Sequence, residues 1–346
     1  MSSPSIPSPA AAKPRQPESV TFIIPTLMRP QFLRLCLTSI AQQTVAPLQV
    51  LVGIRCDDEA SRSIVKEFSG HFPISSVEAK GVGVVGSMNT CLSEAGGDLI
   101  ALVDDDVELP PRWLETMLGH LAENPDVLGA AGRDFLQDHP DMRRAEATTL
   151  DVGRFYWYGR ITGNHHRAGG PARKVNLLRG SNCLFRSSFL KSVGIESGLM
   201  GKGAQVHWEL ALALHAKSRG QNFFFDPSVE VVHNVAPRHD DDQIHRGLFS
   251  HDATVALAFN ESYVVLKHGR GRFRMASLAW QFLIGSTTCP GIGHLLRQIL
   301  HRDRLSNARL KATVIGRLQA VRAASKSSGE TPPIPTMASE PPDGTR

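Results

Sequence analysis

Four short apolar runs, Val20–Pro25, Leu48–Ile54, Leu99–Val103 and Val127–Ala131, alternate with longer amphipathic segments in the first part of this chain. Each run is strand-sized and lacks polar alternation, the pattern of a strand covered on both faces. Between them, Pro30–Gln43, Glu59–Phe68, Val84–Ala95 and Pro111–Glu123 carry apolar residues at helical spacing. A weaker strand is expected around Val77. This β-α-β-α order predicts an α/β fold with a mostly parallel sheet flanked by helices. In such sheets, ligands bind beyond the carboxyl ends of the strands.

At one such end, three aspartates in a row, Asp104, Asp105 and Asp106, follow Leu99–Val103. Packing three like charges costs free energy unless a cation or hydrogen-bonded ligand compensates. Mg2+ and Mn2+ take oxygen ligands of this kind and are often shared with substrate phosphates. A helix cap before Pro110-Pro111 would need only one aspartate. Asp57 and Asp58 sit at the end of the second strand, where one is expected to cap the helix starting near Glu59.

The 346 residues, 41% of them hydrophobic, suffice for a sizeable core. Charge is unevenly placed, with twelve Lys/Arg and one acid, Asp303, between Lys267 and Lys326. That asymmetry suggests a polyanion or an anionic membrane surface as partner for the C-terminal part. The five scattered cysteines form no CxxC pair, which argues against a zinc site or disulfide framework and fits a reducing cytosol. Residues 2–17 are rich in Ser, Pro and Ala and read as lacking a signal peptide. Residues 1–18 and 325–346 read as disordered tails.

Beyond residue 135 the alternation loosens. Asp138–Arg173 is polar and glycine-bearing, as a long loop or hairpin would be. Val175–Phe185 and Phe223–Val232 read as strands, with a helix over Trp208–Ser218 between them. From residue 275 to 296 lie 22 residues without formal charge, interrupted by Pro290-Gly291. The length suits a membrane span but the quality does not. A helix in the membrane interface, with Arg and Lys reaching lipid phosphates, is expected over a span, and a helical hairpin packed on the α/β domain is an equal alternative.

Several segments in order resemble the family 2 glycosyltransferases, of GT-A (Rossmann-like) fold. Val20–Thr26, Arg29-Pro30 and Leu33–Ile40 are similar to that family's first strand and helix. Asp57 and Asp58 sit where it holds a nucleotide-binding acid. Gly81-Val82-Gly83 with Gly86–Asn89 resembles its Gly/Arg/Asn segment, and Asp104–Asp106 its DxD motif. Gly180-Ser181-Asn182 with Phe185-Arg186 resembles its acceptor-side strand. The Trp208-Glu209-Leu210 helix, Asp226-Pro227 and His233 resemble its late helix, strand and closing histidine. The resemblance covers about residues 19–240, with a basic, helical, membrane-associated extension expected over 241–324.

The resemblance implies metal-dependent, inverting transfer of a sugar from a nucleotide-diphosphate donor to a glycan, lipid-linked or other hydroxyl acceptor. A divalent metal, Mn2+ or Mg2+, is implied at Asp104 and Asp106 with His233, although Asp105 and Asp106 are interchangeable at this stage. Pro25, Thr26, Arg29, Asp57, Asp58, Asn89, Asp104 and Asp105 would line the donor site, and Asn182 and Arg186 the acceptor side. Asn89 reads equally as a local hydrogen-bonding residue. Where many members carry an acidic pair, this chain has Val206-His207-Trp208-Glu209. Either Glu209 or His207 is then the base, with Glu209 favoured by type. Ser87 stands where an arginine is common, so one donor contact is expected to be missing. Arg238, His239 and Asp240–Asp242 are expected in a loop closing over the diphosphate. The expected location is cytoplasmic, at the inner face of a membrane.

Three other readings compete. A non-catalytic nucleotide-sugar or glycan binding protein would keep the pocket without a working base. A nucleotidyltransferase needs a Gly-rich loop after the first strand, where Pro25-Thr26-Leu27-Met28-Arg29 has no glycine. Nucleic-acid binding by the basic segment lacks a stacking platform, since only Phe273, Trp280 and Phe282 there are aromatic.

Overall fold

The computed structural model of the protein describes residues 18–136, 149–234, 236, 249–293 and 306–327. Its sheet is built first from β1 (Val20–Pro25), β2 (Gln49–Ile54), β3 (Ile74–Glu78), β4 (Leu99–Val103) and β5 (Val107–Glu108). It continues with β6 (Val127–Leu136), β9 (Arg173–Val175), β10 (Asn182–Arg186) and β11 (Asn222–His233). β7 (Arg154–Phe155) and β8 (Ile161–Thr162) form a separate hairpin. The strand order is β3-β2-β1-β4-β10-β6-β11-β5, with β9 also on β11. β1 to β4, β6 and β11 run one way, and β5, β9 and β10 run against them.

Alternation along the apolar strands feeds two cores. Phe22, Ile24, Leu99, Ala101 and Val103 face one layer, and Ile23, Ile100 and Leu102 the other. The first layer holds α1 (Pro30–Ala41), α2 (Glu59–Glu67) and α4 (Trp113–Glu123). The second holds α3 (Gly83–Glu94), α5 (Ser187–Val193) and α6 (Trp208–Ser218). Each fully buried Phe, Ile or Leu contributes about 2 kcal/mol from burial. Local signals set the helix starts. Pro30 opens α1, and the Asp58 side chain caps α2 by accepting from Ser61 N at 3.1 Å.

Three helices follow: α7 (His251–His268), α8 (Gly271–Leu283) and α9 (Ser306–Ser327). Phe259, Tyr263, Val264 and Val265 of α7 and Ala320 of α9 share the second core with α6. α9 runs on to Ser327, past the boundary drawn at 324.

Two expectations need correction. The single strand over Val175–Phe185 is broken, because β9 pairs with β11 while β10 inserts between β4 and β6. The uncharged stretch from 275 to 296 is not one helix. α8 stops at Leu283, Gly285 takes φ +66°, and a bridge pairs Gly285 with Pro290. Among the described residues, no helix is long and apolar enough to cross a membrane.

Candidate active site

The apolar β4 strand ends at Val103 and delivers the aspartates to the carboxyl edge of the sheet. Asp105 turns under β1. Thr26 Oγ1 donates to it at 2.6 Å, and Arg29 grips both its oxygens, with Nε 3.1 Å from Oδ2. Arg29 Nη1 also reaches Asp106 Oδ2 at 3.3 Å. Asp104 and Asp106 turn the other way, toward His233 at the end of β11, and one ligating atom from each of the three lies within 4.8 Å of the others. His233 Nε2 is 3.2 Å from Asp106 Oδ1. The structure thus separates the three aspartates, a choice the sequence left open.

Electrostatics follow this geometry. Burial and the neighbouring Asp106 push the Asp104 carboxyl up to about 7. Burial also lifts Asp105, to about 6, against the pull of Arg29. At Asp106 burial is outweighed by His233, Arg29 and the Ala236 N–H, which hold it well below the usual carboxylate range. Burial opposes charging of His233, but Asp106 raises it to about 8.

Does this cluster fit a divalent cation? Two carboxylates and an imidazole form an O,O,N donor set suited to Mn2+ or Mg2+. His233 Nδ1 is buried without a hydrogen-bond partner. The Asp104 side chain receives none of the hydrogen bonds among the described residues. These groups fit a metal.

Glu209 stands in the first turn of α6. Its Oε1 accepts from Gly180 N at 3.2 Å, and the next residue, Ser181, accepts at its carbonyl from Asp104 N at 3.1 Å. Two backbone residues therefore link Glu209 to the aspartate cluster. Burial raises its carboxyl above the usual range, against the Gly180 hydrogen bond. Gly180 has a steric reason to be glycine: a Cβ there would lie 2.1 Å from the Trp208 ring and 2.9 Å from Glu209 Oε1. His207 is the residue before α6 and sits in the left-handed region at φ +78°.

Other candidates fall elsewhere. Asp58 caps α2 and also accepts from Met28 N, which ties the turn after β1 to the end of β2. Asp57 is exposed and paired with Arg55. Pro25 closes β1, and Thr26 N donates to Gly53 O at 3.0 Å. Asn89 places both amide groups on the backbone of Ile195, at 2.8 and 3.0 Å, as a helix-to-loop brace. Ser87 packs into the α3–β2 contact, where a Gly53 Cβ would meet its Oγ at 2.0 Å. It therefore stands in a packing position.

Asn182 pairs with Val103 beside the cluster, but its amide is spent on Gly132 and Asp134. Arg186 needs correction. The antiparallel run of β10 carries it to Leu99, at the opposite end of the sheet from the aspartates. There it donates to Val127 O and Leu121 O, each at 2.9 Å. Arg238, His239 and Asp240–Asp242 lie outside the described residues.

Sequence reasoning missed Asp134. This acid on β6 is 2% exposed, accepts from Ser181 and Asn182, and lies 3.2 Å from Arg179 Nε. No sequence signal marks it, because the apolar run ends at Ala131 while β6 continues to Leu136. Asn260 was missed too. From α7 it accepts from Met200 N at 2.7 Å and donates to Met200 O and Val206 O, bracing the loop that leads to Glu209.

A mostly parallel α/β sheet with this cluster at its carboxyl edge and a buried carboxylate across the last crossover defines a GT-A type fold. The chain belongs to the family described as Glycosyl transferase family 2, whose model matches residues 21–194. Over 209 residues it is 24% identical to the glucosyl-dolichyl phosphate glucuronosyltransferase of Haloferax volcanii, covering 57% of this chain and 62% of that one. Over 107 residues it is 30% identical to the glycosyltransferase GlyA of Streptococcus pneumoniae, covering 31% and 15%. The chain thus spans less than two thirds of either relative. Among solved structures, the mannosyltransferase PcManGT of Pyrobaculum calidifontis, in complex with GDP-Man and Mn2+, aligns with a TM-score of 0.50 at 18% identity, covering 93% of this chain and 90% of that one. TarS 1-349 of S. aureus, in complex with UDP-GlcNAc, aligns with a TM-score of 0.54 at 14% identity, covering 90% and 91%. At these identities the likeness is one of fold.

Proposed function

We propose that this protein transfers a sugar from a nucleoside-diphosphate donor to an acceptor hydroxyl, with inversion at the anomeric carbon. The observation that carries the reading is the convergence of Asp104, Asp106 and His233 beside Glu209 at the carboxyl edge of the sheet. Family membership and fold neighbours with bound GDP-Man or UDP-GlcNAc support a nucleotide-sugar donor.

Asp104, Asp106 and His233 would hold Mn2+ or Mg2+, and the ion supplies positive charge to the diphosphate leaving group. Arg29 neutralises Asp105 and shares Asp106, so the carboxylates can be packed this closely. Thr26, Arg29 and Asp58, the cap of α2, fix the turn after β1, the floor of the donor site. Glu209 takes the acceptor proton. Burial that raises its carboxyl makes it a stronger base, and the Gly180 N–H holds its Oε1 in place. Glu209 is preferred to His207 because it is the side chain tied to the cluster through Gly180.

Calorimetric titration with UDP, GDP, TDP and CMP, with and without Mn2+, tests this. The expected result is Mn2+-dependent binding of one nucleotide, lost in Asp104→Ala/Asp106→Ala and kept in Glu209→Gln, which loses transfer. A folded protein that binds none of them overturns the reading. A protein that binds nucleotide tightly but turns over no acceptor is the binding protein.

A further inference from the structure

The β7–β8 hairpin is not part of the proposed catalytic machinery. Its turn packs along α8. Phe155 and Phe273 stand 5.1 Å apart, Tyr158 and Trp280 5.2 Å apart, and a Cβ on Gly159 would overlap the Ala276 backbone at 2.2 Å. The tip presents Trp157 to solvent at 88% exposure, a costly placement for the largest side chain. Beside it, α8 exposes Met275 (64%) and, two turns on, Leu283 (58%). Ile284 and Ile292 extend this apolar strip and are joined to the helix end by Ile292 N donating to Phe282 O at 2.8 Å.

The rim is cationic. Arg154 and Arg160 flank the tip, and Arg270, Arg272 and Arg274 flank the start of α8; all five are exposed, and none joins an ion pair among the described residues. The sequence has no Asp or Glu between Asp151 and Glu196, nor between Glu261 and Asp303. Folding therefore brings the 154–162 hairpin and α8, more than a hundred residues apart and without an acid of their own, onto one face.

We propose that this face docks on an anionic lipid surface. Trp157, Met275, Leu283, Ile284 and Ile292 would enter the interfacial layer while the five arginines meet lipid phosphates. The chemistry favours lipid. Interfacial binding couples buried apolar area with basic attraction, and tryptophan prefers the headgroup level. The five exposed arginines of this rim complement an anionic surface. The docking goes beyond the sugar-transfer reading and needs neither donor nor metal.

The test is flotation of the whole protein, without nucleotide, with phosphatidylcholine vesicles and with vesicles of equal phosphatidylcholine and phosphatidylglycerol. Binding is expected only to the anionic vesicles, and to weaken on the order of tenfold in Trp157→Ser/Leu283→Ser and in Arg272→Glu/Arg274→Glu. About 0.5 M NaCl, where the Debye length is roughly 4 Å, should release the protein. Trp113 and Trp208 are buried, so vesicle binding should blue-shift the emission of wild type more than that of Trp157→Phe. No binding by wild type, or binding that these substitutions leave unchanged, overturns the proposal. So does self-association without lipid that the same substitutions abolish, which would make the face a contact between copies. A protein that floats but binds no nucleotide keeps this inference and removes the transferase reading.

Discussion

Three adjacent carboxylates behave differently because each faces a different neighbour. Asp105 is fully buried and bound by Thr26 and Arg29, so removing it leaves a guanidinium that is only 20% exposed with just its longer contact to Asp106. Asp105→Ala should lower unfolding free energy by about 3 kcal/mol, as for other broken buried pairs. Asp104 is the opposite case. Burial and Asp106 disfavour its charge. Asp104→Asn should therefore leave the urea midpoint unchanged or raise it at neutral pH, while weakening Mn2+ binding. Urea titration of both variants decides, and a lower midpoint in Asp104→Asn contradicts the assignment. The run of three aspartates at a strand end was legible because it is contiguous. The division of labour within it was not, since Thr26 and His233 lie far from it in sequence.

At the scale of elements, a buried ionic knot ties the loop after α5 to the end of α7. Glu196, 6% exposed at its side chain, accepts from His268, the Gly198 N–H and Lys267. Burial alone would raise its carboxyl, but these partners outweigh it and hold the group at about 2, against 4.5 when free. The depressed value fixes the sign. The stabilisation is present above pH 4.5 and is lost as pH falls through 2. A shift of this size is worth about 3 kcal/mol. Denaturant titrations across that window should show stability falling with pH in wild type and a flatter profile in Glu196→Gln. An equal slope in both would refute the knot. Secondary structure was largely readable: Trp208–Ser218 is a helix as expected, and the strand runs fall within a residue or so of β1, β2 and β4. The misreadings came where pairing overrides local pattern, at the broken strand before β10 and at Arg186.

For the molecule as a whole, the C-terminal helices share one core with the sheet. Arg317 of α9 is 1% exposed, donates to Pro290 O and Cys289 O at 3.2 and 3.0 Å, and lies 5.6 Å from the Phe282 ring. Its charge offsets Glu261 of α7, whose carboxyl burial raises above the usual range. Arg317→Leu leaves that acid buried without compensation and should cost about 3 kcal/mol or more. One cooperative transition at a lower midpoint is expected by near-UV circular dichroism. A loss of far-UV helix signal ahead of the near-UV transition would show that the helices unfold independently.

By itself the sequence determined the α/β alternation, the helix starts at Pro30 and Asp58, the aspartates at a strand end, and the family. Each is written in neighbouring residues, as a side-chain period or a contiguous motif. Tertiary structure alone decided which aspartates meet His233, that Arg29 serves Asp105, and that Asp134 and Asn260 brace the site. It also carried Arg186 to the far edge and Tyr158 onto α8. Those outcomes depend on strand direction and on packing between segments tens to hundreds of residues apart, which no local pattern encodes.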